Sequence, residues 1–196
     1  MACFPAHPRL SSGVCDHSCD QAARLVPVTA ADVLVLSGVP GAGKTSFAQW
    51  LETRGWQRVE HDRLGRTPLE MAWIAVLERL NVAGLLATAG TEPLVVEWGY
   101  PPQRQTVDRV RQLVAVGFNC WWFDADEGAA LEAWKRAWSV TTTAEELAFH
   151  VQIGRIKQAW PEMARIYGSK VLRVLDAGPP PTRMAPEAIS AALGLQ

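Results

Sequence analysis

The run Gly38-Val39-Pro40-Gly41-Ala42-Gly43-Lys44-Thr45 satisfies G-x-x-x-x-G-K-[ST], a spacing suited to holding the phosphate chain of a nucleotide. Glycines let the backbone fold back on itself, so that successive amide N–H groups point inward as a nest for an anion. A helix starting directly behind the turn adds unpaired N–H groups and the positive end of its dipole. In such an arrangement Lys44 reaches the β- and γ-phosphates and the Thr45 hydroxyl takes a position on Mg²⁺. The expected cradle is therefore Gly38, Val39, Pro40, Gly41, Ala42, Gly43, Lys44, Thr45 and Ser46. The competing reading is a Gly-rich turn that binds nothing.

The neighbouring sequence supplies the elements that this chemistry needs. Val33-Leu34-Val35-Leu36 is the short continuous apolar run of a buried parallel strand. Phe47, Trp50 and Leu51 recur at helical spacing, with Gly55 as a stop. Trp56 to Glu60 predicts a second strand leading into His61-Asp62-Arg63. Ligands of open α/β sheets collect beyond the carboxyl ends of the strands, which directs Asp62 and Arg63 toward a site. Thr67 and Pro68 predict a helix start, and the helix is expected to run to about Ala89. Leu94-Val95-Val96-Glu97 is a further buried strand ended by an acid, followed by the aromatic loop Trp98-Gly99-Tyr100-Pro101-Pro102.

Val107, Val110 and Leu113 form one apolar stripe of the next helix, and Gly117 ends it. A fourth strand is expected over 118–123, closed by Asp124 and Asp126, then a helix that carries Lys135 and Arg136. Thr143-Ala144-Glu145-Glu146 matches a capping box for a helix to about Trp160, which Pro161 can restart as far as Tyr167. The fifth strand is expected over 170–175, followed by a loop over 176–182 and a short final helix from about Pro186. Five strands alternating with helices imply a parallel sheet covered on both faces.

A chain of 196 residues argues for one domain with a substantial core, expected over 28–196, while 1–27, with Pro5, Pro8, Gly13 and Pro27 and no apolar periodicity, is expected to be a flexible extension. A net charge of -1 provides no broad basic field for nucleic acid or an anionic membrane, although a local cationic groove stays open. The most hydrophobic window, Met71 to Ala89, carries Glu78, Arg79 and Asn81 and so reads as a buried helix rather than a membrane span. Nothing at the N-terminus matches a secretory signal. Cys3, Cys15 and Cys19 lie near His7 and His17, but their spacing fits no usual zinc pattern, and a reduced cytoplasmic protein is the simpler inference.

The loop between strand and helix, together with Asp62-Arg63 after the second strand, resembles the P-loop kinases of the nucleoside-monophosphate-kinase-like class. The resemblance covers about 30–176 and is strongest to the small-molecule and polynucleotide-kinase-like members, among them shikimate, gluconate and chloramphenicol phosphotransferases and the zeta toxins. It implies a three-layer α/β/α P-loop NTPase fold with a five-stranded parallel sheet and a helical lid. It also implies an ATP- and Mg²⁺-dependent kinase that moves the γ-phosphoryl to a hydroxyl of a small-molecule acceptor. Carried over, Asp62 orients that hydroxyl and accepts its proton, and Arg63 holds the acceptor. A turn or cap role for Asp62 and a solvated role for Arg63 stay open. Glu97 stands where a metal-assisting acid usually lies, so it assists Mg²⁺ or the acceptor, or is structural. Trp98 and Tyr100 either flank the acceptor or pack against the sheet edge. The lid cation is expected from Arg136, with Lys135 and Arg155 as alternatives, and the loop 176–182 is the expected adenine contact. GTPase chemistry is disfavoured because no N-K-x-D sequence occurs, and AAA-type motors by length. A kinase acting on nucleotide or polynucleotide ends, and a nucleotide-binding module without transfer, remain the alternatives.

Overall fold

A computed structural model describes residues 27–61, 67–99, 104–139 and 141–195 of the chain. After a 3-10 turn at Ala30–Asp32, the elements run β1 (Val33–Gly38), α1 (Lys44–Glu52), β2 (Gln57–Glu60), α2 (Pro68–Arg79), α3 (Val82–Ala89) and β3 (Leu94–Glu97). They continue with α4 (Arg104–Ala115), β4 (Asn119–Ala125), α5 (Glu127–Trp138), α6 (Thr143–Tyr167), β5 (Val171–Asp176), β6 (Thr182–Arg183) and α7 (Pro186–Ala192).

The strands form one sheet in the order β2-β3-β1-β4-β5-β6, parallel except for the last pair. β1 lies at its centre with all six residues buried, as a strand covered on both faces must be. Successive side chains of a strand face opposite ways, and β4 shows both covers. Phe123 meets Phe47 of α1 at a ring distance of 5.7 Å, whereas Trp122 meets Trp160 and Tyr167 of α6 at 5.9 and 5.7 Å. The result is the three-layer α/β/α architecture expected from the alternation of strands and helices.

Three details depart from the sequence reading. The sheet has six strands rather than five: the segment expected to be a loop over 176–182 turns back, and Thr182–Arg183 pairs antiparallel with β5, Arg183 opposite Leu175. The single helix expected from Pro68 to Ala89 is two, because Leu80 takes a left-handed conformation at φ 54° and Asn81 caps a new helix through Gly84 N. The apolar spacing continues across this break and hides it. Conversely, α6 passes through Pro161 as one helix of 25 residues. Of the expected N-terminal extension only Pro27 falls within the described residues, so Cys3, Cys15, Cys19, His7 and His17 lie outside them. At α2 the expected start is realised: Thr67 and Glu70 form a reciprocal capping box with Pro68 at the first helical position. Among the described residues no helix is long and apolar enough to cross a membrane.

Candidate functional site

β1 delivers the glycine-rich turn to the carboxyl edge of the sheet, and α1 begins immediately behind it at Lys44. Gly43 caps α1 in a left-handed conformation, φ 95° and ψ 21°, which a side chain rarely tolerates. Gly41 is also left-handed at φ 78°, and a Cβ built there would overlap the carbonyl oxygen of Ala130, so α5 packs directly on the turn. Gly38 leaves equally little room against the backbone of Phe123, whose carbonyl accepts from Val39 N at 3.0 Å. The glycines thus fix a bent turn between β4, α5 and α1. Lys44 Nζ donates to the carbonyls of Gly38 and Val39, both at 3.0 Å, which holds its ammonium across the mouth of the turn. Thr45 and Ser46 are exposed on the first turn of α1. Left-handed glycines, a lysine spanning the mouth and an open helix N-terminus fit a phosphate chain.

Arg183, which the sequence reading did not single out, completes one end of this turn. The β5–β6 hairpin brings its guanidinium over Gly43, and Nη2 donates to the Gly41 carbonyl at 3.2 Å. Burial lowers the affinity of Arg183 for its proton, and the neighbouring charge of Arg136 lowers it further. Neither arginine has a carboxylate partner among the described residues, so two positive charges stand together beside the cradle. Such a pair favours an anion between or beside them. The one available signal was position: Arg183 directly follows the loop expected to contact adenine. A cavity of about 130 Å³ opens here, bounded by Gly43, Thr45, Ser46, Trp134, Trp138 and Arg183. Trp138 is 66% exposed on its rim, whereas Trp134 is anchored against Phe149 at 5.6 Å.

The other lid candidates are placed differently. Lys135 is engaged by Glu146 at 2.6 Å and by Glu132 at 3.7 Å, and its hydrogen bond to Glu146 raises its affinity for the proton. Arg155 is exposed on α6. Of the three, Arg136 is the one whose charge acts on a group bounding the cradle.

At the end of β3, Glu97 is 6% exposed and stands level with Leu36 of β1 and Glu60 of β2. Arg58 donates from Nε to Glu97 Oε1 at 2.6 Å and from Nη2 to Glu60 Oε2 at 3.0 Å. Two adjacent buried-side carboxylates therefore share one guanidinium, which offsets the cost of burying Glu97. A carboxylate has about four acceptor positions, so this pairing leaves capacity for a metal-bound water. No group of three or more metal-ligating side chains occurs among the described residues. Trp98 is 3% exposed and stands edge-on to Trp73 at 6.0 Å, with the His61 ring on another side at 6.0 Å. Its ring belongs to the core beneath the site. Asp62, Arg63 and Tyr100 lie outside the described residues.

No family model matches the sequence, and no curated protein matches it. Solved structures do. A tunicamycin resistance protein from Deinococcus radiodurans superposes with a TM-score of 0.50 at 17% identity, over 84% of this chain and 96% of that one. A gluconokinase from Sinorhizobium meliloti 1021 gives 0.47 at 17% identity, over 85% and 92%. A shikimate kinase from Acinetobacter baumannii, solved with shikimate, gives 0.42 at 14% identity, over 83% and 89%. The chain shares its fold, a mostly parallel sheet between layers of helices, with the tunicamycin resistance protein.

Proposed function

We propose that this chain is an ATP- and Mg²⁺-dependent phosphotransferase that moves the γ-phosphoryl to a hydroxyl of a small molecule. The observation that carries the reading is the Lys44 ammonium held 3.0 Å from the Gly38 and Val39 carbonyls, across a turn in which Gly38 and Gly41 lie against neighbouring backbone with no room for a side chain. When phosphates enter, this ammonium exchanges carbonyl oxygens for β- and γ-phosphate oxygens. The amides of the turn and the start of α1 hold the rest of the chain. The nucleoside lies toward the cavity of about 130 Å³, where Trp138 offers an aromatic face and Arg183 a planar guanidinium for stacking on a base.

Thr45 and Glu97 would hold Mg²⁺, which supplies positive charge to the β- and γ-phosphate oxygens. Asp62, two residues beyond β2, serves as orienter and proton acceptor for the incoming hydroxyl, with Arg63 and Tyr100 as acceptor contacts. The acceptor oxygen forms its bond to the γ-phosphorus as the bond from that phosphorus to the β,γ-bridging oxygen breaks. ADP leaves with the electron pair, and the hydroxyl proton passes to the Asp62 carboxylate. Arg136 contributes charge to the moving phosphoryl group from α5. Trp98 supports the site from the core.

The test is calorimetric titration of Mg·ATP together with transfer of labelled phosphate to a metabolite panel. Wild type is expected to bind and transfer; Lys44→Ala is expected to lose transfer by at least about 100-fold with an unchanged fold. Absence of any heat of binding in the wild type would refute the assignment, and binding without transfer to any acceptor would favour a non-catalytic nucleotide-binding module.

A further inference from the structure

We propose that the donor site selects a triphosphate with a flat purine base but does not tell adenine from guanine, so that purine triphosphates as a class serve as phosphoryl donors. This rests on the nucleotide reading of the glycine-rich turn and widens its donor from ATP to that class. The binding groups fall into two sets. Lys44, the amides of the turn and the start of α1 act on phosphates, which every nucleoside triphosphate carries. What remains for the base is the cavity of about 130 Å³ beside Arg183.

Size and lining decide what that cavity can do. Its volume falls below the range of about 300–1,000 Å³ typical of sites that enclose a small molecule, so it takes the face of a purine without wrapping the edges. Trp134 and Trp138 of α5 bound it together with the Arg183 guanidinium, and the small side chains of Ala133 and Ala137 leave the indoles accessible. Trp138 is exposed on the rim, an apolar surface that a stacked base would cover, while Trp134 is held in place by the Phe149 ring at 5.6 Å. An indole face or a guanidinium plane attracts every base alike, because each base has a π face.

Telling adenine from guanine takes more than a face. Adenine presents an amino group that needs an acceptor, such as the amide of Asn or Gln, whereas guanine presents a carbonyl oxygen read by a pair of donors, such as a free guanidinium fork. Among the described residues, no Asp, Glu, Asn or Gln bounds the cavity. The carbonyls of the two glycines that border it are already engaged: Gly41 O accepts from Arg183 Nη2 at 3.2 Å, and Gly43 O accepts from Phe47 N at 3.0 Å. The first of these bonds also takes one arm of the Arg183 fork, so the paired donors that guanine requires are not on offer. A bidentate pair separates the right base from the wrong one by about 5- to 150-fold, and a site without one falls short of that discrimination.

The experiment uses the full chain with Mg²⁺, titrated by calorimetry with the non-hydrolysable analogues AMPPNP and GMPPNP and with inorganic tripolyphosphate, which has no base. The two nucleotides are expected to bind within about 5-fold of one another, and tripolyphosphate at least about 5-fold more weakly than either. Trp138→Ala, at an exposed position outside the core, is expected to weaken both nucleotides alike by about 10-fold and tripolyphosphate by less than about 2-fold. The proposal is overturned if the two nucleotides differ by more than about 5-fold, if tripolyphosphate binds as tightly as they do, or if Trp138→Ala, folded by circular dichroism, binds them like wild type. A strong preference for one base would leave the nucleotide reading standing, whereas no heat from any of the three titrants would overturn that reading and the proposal with it.

Discussion

Arg183 Nη2 donates to the carbonyl oxygen of Gly41 at 3.2 Å, across 142 residues of sequence. The contact joins the end of the β5–β6 hairpin to the phosphate cradle and brings a guanidinium beside Arg136 with no carboxylate nearby among the described residues. A charge held this way is available to an incoming polyphosphate. Arg183→Ala is expected to raise the dissociation constant of Mg·ATP about 10-fold, the scale of one charge-assisted hydrogen bond lost. Arg183→Lys should not restore it, because an ammonium lacks the planar fork that reaches both Gly41 and a stacked base. Calorimetry on the three proteins decides the point; equal affinities would remove Arg183 from the site.

The two left-handed glycines of the turn should respond differently to a methyl group. At Gly41, φ 78°, an added Cβ meets the backbone carbonyl of Ala130, which cannot move without α5. At Gly43, φ 95°, it meets the far end of the Arg183 side chain, which can swing away. Gly41→Ala is therefore expected to cost at least about 3 kcal/mol, backbone strain and overlap combined. Gly43→Ala should cost about 1–2 kcal/mol of conformational strain plus the displacement of Arg183. In a double-mutant cycle measured by urea unfolding, Arg183→Ala should reduce the cost of Gly43→Ala by at least about 0.5 kcal/mol and leave that of Gly41→Ala unchanged.

Arg58 is the cation that Glu97 and Glu60 share. Replacing it with Met leaves the Glu97 carboxylate buried without its partner, and a loss of about 3–5 kcal/mol is expected. Arg58→Met with Glu97→Leu removes both charges and should recover a large part of that loss. A double variant no more stable than Arg58→Met alone would show that the ion pair is not what Arg58 contributes.

Cys120 lies buried in β4, and burial pushes its thiol up to about 12 from an ordinary 9.0, with Lys170 opposing the shift. The unfolded chain ionises this group first. Below about pH 9 both states hold the proton and nothing is lost; between about pH 9 and 12 the unfolded state binds fewer protons, so stability falls as pH rises. The loss attributable to this thiol approaches about 4 kcal/mol at the upper end, from 1.36 kcal/mol per unit over about three units. Urea unfolding of wild type and Cys120→Val across that window should show a steeper alkaline decline in the wild type. Parallel curves would mean that the thiolate is accommodated in the fold.

What the sequence could determine was local or periodic. The strand, turn and helix around Gly38 to Thr45 are legible because φ sterics, amide direction and helix-end polarity act between near neighbours. The three layers are legible because apolar runs and helical stripes alternate. A break between α2 and α3 was not, since Leu80 and Asn81 interrupt backbone conformation without interrupting apolar spacing. The two-residue strand at Arg183 was not legible either, because its pairing partner, rather than its own composition, makes it a strand.

Tertiary structure alone decided which groups meet. It brought Arg183 onto Gly41, seated Arg58 on Glu97, buried Trp98 in the core and set Val39 against Trp160 on either side of one cavity. Each of these depends on distances between segments far apart in the chain, and such distances follow from sheet order and helix packing, which no single stretch of residues encodes.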